Sequence, residues 1–257
     1  IWAIQGPQAR SPYLGSFITT TGVVTGIFPE LGGFFIQETT TDENESTSAG
    51  IFILTPTSNN EDFVKLFGDL AIGNAVQVNG KVREPSQQTV IEVFGQQAVT
   101  LVASSASLPL PIALDPPTSQ AEALVYYESL EGMLVTIAGD ALAVSPISKY
   151  GETVVILPKH RRERIFQGEE NGIMIMVDDG SSVTYTDGTQ LPYLVSTGDR
   201  LSGLTGPLAY TYGRFKIEPV TPPVIMASAT IQPQITPAAA DEFTLMTWNV
   251  ENLFDPL

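Results

Sequence analysis

Cysteine is absent from the 257 residues, which excludes disulfides, thiolate metal sites and cysteine nucleophiles together. Histidine occurs once, as His160, so a His-based triad or an imidazole zinc site lacks its ligands. Positive charge is scarce as well: 12 Lys and Arg stand against 28 Asp and Glu, a net charge of −16. Such a surface repels nucleic acid at long range unless basic residues gather locally, and it suits an acidic, solubilising exterior on a secreted protein. No apolar run approaches the roughly 18 residues of a membrane span, so solubility is expected. The opening residues show no basic-then-apolar leader, and any targeting segment is expected to have been removed or to lie outside the sequence.

What is present points to β-structure. A hydrophobic fraction of 43% with 12 Phe suits a folded core, and 22 Gly and 19 Pro spread along the chain suit short strands joined by turns. The segment 15-GSFITTTGVVTGIFP-29 is rich in Thr, Val and Ile and reads as a strand. Strands are also expected in 33-GFFIQET-39, 50-GIFILTP-56, 73-GNAVQVNGKVRE-84 and 89-TVIEVFG-95, with one short helix in 60-NEDFVKLFGDL-70. Five strands with a helix between the third and fourth make a small barrel.

The plan recurs. The stretch 132-GMLVTIAGDALAV-144 lies over 15-GSFITTTGVVTGI-27 with Gly22 on Gly139, and 198-GDRLSGLTGPL-208 lies over 73-GNAVQVNGKV-82 with one inserted residue. Two matches in the same order predict a tandem duplication. The fold class expected is therefore all-β: two barrels of the oligonucleotide/oligosaccharide-binding (OB) type, over 1–103 and 121–227. Proline-rich linkers over 104–120 and 228–241 are expected to be extended, and 242–257 carries a last strand with alternating side chains.

Several pieces resemble a known family. The runs 4-IQG-6, 11-SPYLGSFITTTGVVTG-26 and 33-GFFIQE-38 look like the start of the OB region of secreted bacterial nucleases. The runs 131-EGMLVTI-137, 150-YGE-152, 176-MVDDG-180, 198-GDRLSGLTG-206 and 210-YTYGRFKIEP-219 are similar to its later part. In that family the region precedes a metal-dependent endonuclease/exonuclease/phosphatase domain, whose first strand resembles 247-TWNVENLFD-255. The resemblance implies that Asn249 matches an active-site asparagine that helps hold phosphate and metal. The family's Glu, Asp and His partners have no counterpart here. Metal-assisted cleavage needs several such groups converging, so the chain is expected to be catalytically inert.

Three groups of residues are candidates for function. Basic charge is densest in 159-KHRRERI-165, with Lys159, Arg161, Arg162 and Arg164. In 208-LAYTYGRFKIEP-219 the period-2 pattern sets Phe215 and Ile217 on one face against Tyr212, Arg214 and Lys216 on the other. Interleaved aromatic and basic residues are what single-stranded nucleic acid requires, although the basic loop can equally pair with Glu163, Glu169 and Glu170. Acidic residues in 42-DENE-45, Asp178-Asp179 and Asp187-Gly188 could offer oxygen to calcium, but their spacing is that of turns, and no cofactor is expected. Asn44-Glu45-Ser46 is a glycosylation sequon in a Ser/Thr-rich loop.

The last strand needs a sheet. Exposing Phe243, Leu245, Met246, Trp248, Val250, Leu253 and Phe254 to water would be costly, so the strand is expected to dock on its own barrel or a neighbour's. The leading expectation is a non-catalytic, extracellular structural protein that self-associates into an oligomer or filament by β-strand addition. The alternative is the nucleic-acid-binding module of a secreted metal-dependent nuclease.

Overall fold

The computed structural model describes residues 1–228 except 41, 58 and 161–171. The expected strand of 242–257, with Asn249, and the linker from 229 onward lie outside the described residues. So do Arg161, Arg162 and Arg164. The described chain is all-β, with few helices.

After a single turn of helix α1 (Trp2–Gln5) come β1 (Phe17–Phe28), β2 (Gly33–Gln37) and β3 (Gly50–Leu54). Helix α2 (Asn60–Phe67) follows, then β4 (Ala75–Arg83), β5 (Val90–Glu92) and β6 (Val99–Ala103). Antiparallel β1–β2, β2–β3, β4–β5 and β1–β4 pairings, with parallel β3–β5, close a five-strand barrel in the order of an OB fold. In β4 the buried Val76, Val78 and Val82 alternate with exposed Gln77 and Asn79, as the sequence pattern predicts. The Asn59 side chain accepts the Asp62 N–H at 2.9 Å and starts α2. That helix lays Phe63 and Phe67, one turn apart, onto the barrel core beside Phe34.

The second half holds β7 (Ile112–Ala113), helix α3 (Gln120–Glu128), β8 (Leu134–Thr136), β9 (Ala141–Ala143) and β10 (Thr153–Ile156). It ends with β11 (Ile175–Val177), β12 (Arg200–Ser202), β13 (Thr205–Thr211), β14 (Arg214–Ile217) and β15 (Val224–Met226). Its connections repeat the first: β9–β10–β11 antiparallel, β11–β14 parallel, β14–β13 antiparallel, then back through β13–β8 and β12–β9. The first and fourth positions are each broken in two, between β8 and β9 and between β12 and β13. The sheet is therefore a curled half-barrel.

The two Gly-[Asn/Asp] matches perform the same task. Gly73 N–H donates to Val24 O and Val24 N–H to Asn74 O; likewise Gly198 N–H donates to Ala143 O and Ala143 N–H to Asp199 O. The side chains each accept a backbone N–H three residues back, from Ala71 and Ser196. They differ where the outgoing chain is gripped. Asn74 donates its amide to Ser104 O, whereas Asp199 accepts Ser228 N–H. Amide stands where a carbonyl must be met and carboxylate where an N–H must be met.

The linker does not hold the halves apart. Leu114 is buried in the second core, β7 pairs with β8, and Phe28, Phe35, Phe52, Val90 and Ala209 form a shared apolar seam. Polar bonds cross it: Leu134 N–H to Gln37 Oε1 at 2.7 Å, Ser48 Oγ to Glu131 O at 2.5 Å, and Thr89 N–H to Glu131 Oε1 at 3.0 Å. Gly50 and Gly132 meet backbone to backbone; a Cβ on Gly50 would lie 2.1 Å from the Gly132 carbonyl carbon. Helix α3 has no forerunner in the sequence reading. It buries Ala123 and Tyr127 yet exposes Leu124 and Val125, so its apolar residues ring the helix and leave no 3.6-residue period to detect.

Candidate functional site

A cleft of about 350 Å³ opens on the second half between the β9–β10 connection, the loop after β11 and the β13–β14 hairpin. Tyr150 and Glu152 come from the first, Asp178 and Ser181 to Thr184 from the second, and Tyr212 and Lys216 from the third. Its floor is charged. The Lys216 ammonium, 2% exposed, donates to Glu152 Oε1 and to Asp178 Oδ2, the latter at 3.0 Å. Burial alone would lower the lysine's pKa, but these two carboxylates more than offset it and hold the ammonium charged. Burial pushes Asp178 up to about 6 against the opposing pull of Lys216.

The surrounding loop is built as tightly as the floor. Asp178 Oδ1 accepts Asp179 N–H, Asp179 Oδ1 accepts Ser181 N–H, and Tyr185 O–H donates to Asp179 Oδ2 at 2.5 Å. Ser182 Oγ reaches Glu30 O in the first barrel at 2.9 Å. Behind the floor Glu218 is fully buried, and burial holds it well above the usual carboxylate range.

Two tyrosines form the rim. Tyr212 and Gly213 are the two-residue turn between β13 and β14, with φ of 51° and 78°, the pattern of a type I′ hairpin. Tyrosine is a poor choice for that left-handed position, and the turn leaves its ring 85% exposed. Tyr150 is 49% exposed, with Lys149 Nζ 5.0 Å from its ring centre; Lys216 Nζ lies 5.3 Å from that of Tyr212. A second hollow of about 380 Å³ shares Asp178, Ser181, Ser182 and Tyr212 with the first. It continues to Glu30, Pro85, Ser86 and Gln88 of the first barrel, so the two make one groove running from the rim to the seam.

The sequence-predicted residues fare unevenly. Lys216, expected on the nucleic-acid face, is 2% exposed and bonded to two carboxylates rather than standing on an open surface. Ile217 is equally buried, so β14 is covered on both sides, and simple alternation of an open barrel face does not apply. Arg214 is exposed beside Tyr212. Lys159 pairs with Asp115 on the linker. Asn44 is exposed in a turn, its Oδ1 accepting Ser46 N–H while Asp42 accepts Asn44 N–H and Thr47 Oγ1. Asp42, Asp178 and Asp179 are thus engaged as turn acceptors. Among the described residues no group of three His, Asp or Glu side chains is arranged to hold a metal ion. Tyr150 and Glu152 stand in the sequence analysis only within the run 150-YGE-152 and not as site residues, because their partners lie on other elements. An open edge was also hidden. Among the described residues β6, β7 and β15 each have one hydrogen-bonded neighbour, and β6 leaves Leu101 and Val102 more than half exposed.

Residues 105–229, less than half of the chain, match the family model described as a domain of unknown function (DUF8508). No curated protein matches. Among solved structures, the crystal structure of the p204 HINb domain is similar over 81% of this chain and 95% of that chain, at 11% identity and a TM-score of 0.31. The OB assignment itself rests on strand order. Among the described residues no helix is long and apolar enough to cross a membrane.

Proposed function

We propose that this chain is a non-catalytic extracellular structural protein whose copies associate by strand addition, residues 242–255 of one copy pairing with β6 of the next. The observation that carries the reading is β6 itself. It is a five-residue edge strand, paired on one side only and exposing Leu101 and Val102, and such an edge is a template for another strand. The incoming segment supplies the complementary alternation of Phe243, Leu245 and Thr247 against Thr244, Met246 and Trp248. Donor and acceptor are different surfaces, so the contact is head-to-tail and builds an oligomer or filament. Light scattering and negative-stain microscopy on the full chain, on a version ending at Ala240, and on Val102→Lys test this. Assembly by the full chain alone supports the reading; assembly by all three, or by none, refutes it.

A second reading, the nucleic-acid module of a secreted nuclease, is favoured by exposed Tyr212 beside exposed Arg214. Its nuclease component rests on the quoted sequence resemblance alone, and the carboxylates beneath the tyrosine weigh against a phosphate backbone. Salt-dependent binding of an oligothymidylate that is lost in Arg214→Ala would support it.

A further inference from the structure

We propose that the groove along helix α3, where the two barrels meet, is a docking site for a segment of a partner protein that carries basic and apolar side chains together. Leu124 and Val125 stand 45% and 70% exposed on this helix, although Ala123 and Tyr127 already supply the face that the second core takes up. A single exposed Leu or Val is ordinary, but these two line a hollow of about 570 Å³. Partly buried Tyr126, Tyr210 and Phe215 continue its apolar lining, and the first barrel contributes Glu45 and Gln87. Ligand pockets typically span roughly 300–1,000 Å³, so this one has room for several side chains.

Charge selects the occupant. Among the described residues that line this hollow are the carboxylates of Glu45, Glu122 and Glu128 and no Lys, Arg or His. The ion pairs found around the helix are Arg10 with Glu84 and Lys159 with Asp115, and neither cation meets a glutamate of the groove. Burial, reinforced by the charge of Glu84, raises the pKa of half-buried Glu128 above its ordinary value. A cation brought by a partner would offset that penalty. An acidic segment is repelled by these groups and by the net charge of −16. A wholly apolar segment would cover three carboxylates with nothing to pair them, and a wholly polar one would leave Leu124 and Val125 without a contact.

The groove also has a direction. Past Leu124 and Phe215 it continues into a second hollow of about 310 Å³, lined by Tyr127, Met174 and Met176 and bordered by Arg214. Positive charge at this end and three glutamates at the other place the partner's cations beside Glu122 and Glu128, with its apolar side chains over Leu124 and beyond. This surface is separate from the β6 edge, so docking here does not depend on strand addition there.

The test is fluorescence anisotropy on the full chain with labelled nonapeptides that combine Arg with Leu, Arg with Ser, Glu with Leu, or Ser with Leu. The expected result is that the Arg–Leu peptide binds about tenfold tighter than any other. Val125→Ser, and Glu122→Gln combined with Glu128→Gln, should each weaken it about fivefold while melting within ~5 °C of the parent. Glu61→Gln, which removes the same kind of charge from helix α2 outside the groove, should leave binding unchanged. So should Val102→Lys, which blocks β6 and lets this inference and strand addition fail separately. Equal binding of the Arg–Ser peptide, an equal loss in Glu61→Gln, loss in Val102→Lys, or no binding of any peptide overturns the inference. Binding seen only when Arg161, Arg162 and Arg164 are replaced by Ser also overturns it, and gives the groove to the chain's own basic run.

Discussion

Glu131 offers a sharp test of how the two barrels are held together. It is 2% exposed at the seam, where its Oε1 accepts Thr89 N–H from the first barrel. Burial, reinforced by the charge of Glu128, raises its pKa from the ordinary 4.5 to about 8. The folded protein therefore holds a proton there that the unfolded chain releases, and stability must fall as pH rises through this window. Between pH 4.5 and pH 7 the unfolded chain ionises the group and the folded chain does not; at about 1.4 kcal/mol per pH unit, this removes roughly 3 kcal/mol. The loss levels off above pH 8, where the folded form ionises too. The substitution Glu131→Gln keeps an acceptor for Thr89 and abolishes the titration. Urea unfolding of both proteins from pH 4.5 to 8.5 is the assay, since the difference between them cancels the other carboxylates. The variant's advantage should widen by roughly 3 kcal/mol between pH 4.5 and 7 and then flatten. A difference that stays constant over this range would refute the reasoning.

Other perturbations probe the remaining structure. Lys216→Met leaves Asp178 buried without its cation and should cost ~3 kcal/mol in urea unfolding at pH 7, more than the same change at exposed Arg214. Asn74→Asp replaces the donor to Ser104 O with an acceptor, and Asp199→Asn sets an amide donor against either Ser196 N–H or Ser228 N–H whichever way it flips, so each should cost ~1–3 kcal/mol, read in thermal melts. Gly50→Ala drives a methyl group into the Gly132 backbone, so the seam must open, and limited proteolysis between residues 104 and 120 should become faster than in the parent. Tyr212→Asn should raise stability by ~1 kcal/mol, read in urea unfolding, by relieving the left-handed tyrosine.

The first barrel was legible because its signals are local. Alternation at Val76, Val78 and Val82 marks β4, Phe63 and Phe67 repeat at helical spacing, and the paired Gly-Asn and Gly-Asp motifs report a bond pattern that the chain makes twice. In the second half the strands are mostly three or four residues long, too short for a period to stand out, and α3 carries apolar residues around its whole circumference. The nucleic-acid face expected from 208–219 rested on alternation about a solvated surface. That assumption fails at Lys216 because loops from two other elements fold over it, a contact no local pattern records.

Sequence alone determined the chemistry that is excluded: no thiol, a single imidazole and a deficit of positive charge follow from composition, whatever the fold. It also determined the repeated barrel plan, since side-chain periodicity and glycine turns act over a few residues. Tertiary structure alone decided the partnerships. Glu131 is an ordinary glutamate until Thr89 and the seam enclose it, and Lys216 is an ordinary cation until Glu152 and Asp178 arrive from 64 and 38 residues away. Tyr150 and Tyr212 share a cleft only because two loops of one barrel open on the same side. Periodicity is set by neighbours along the chain, whereas electrostatics and cavities are set by neighbours in space.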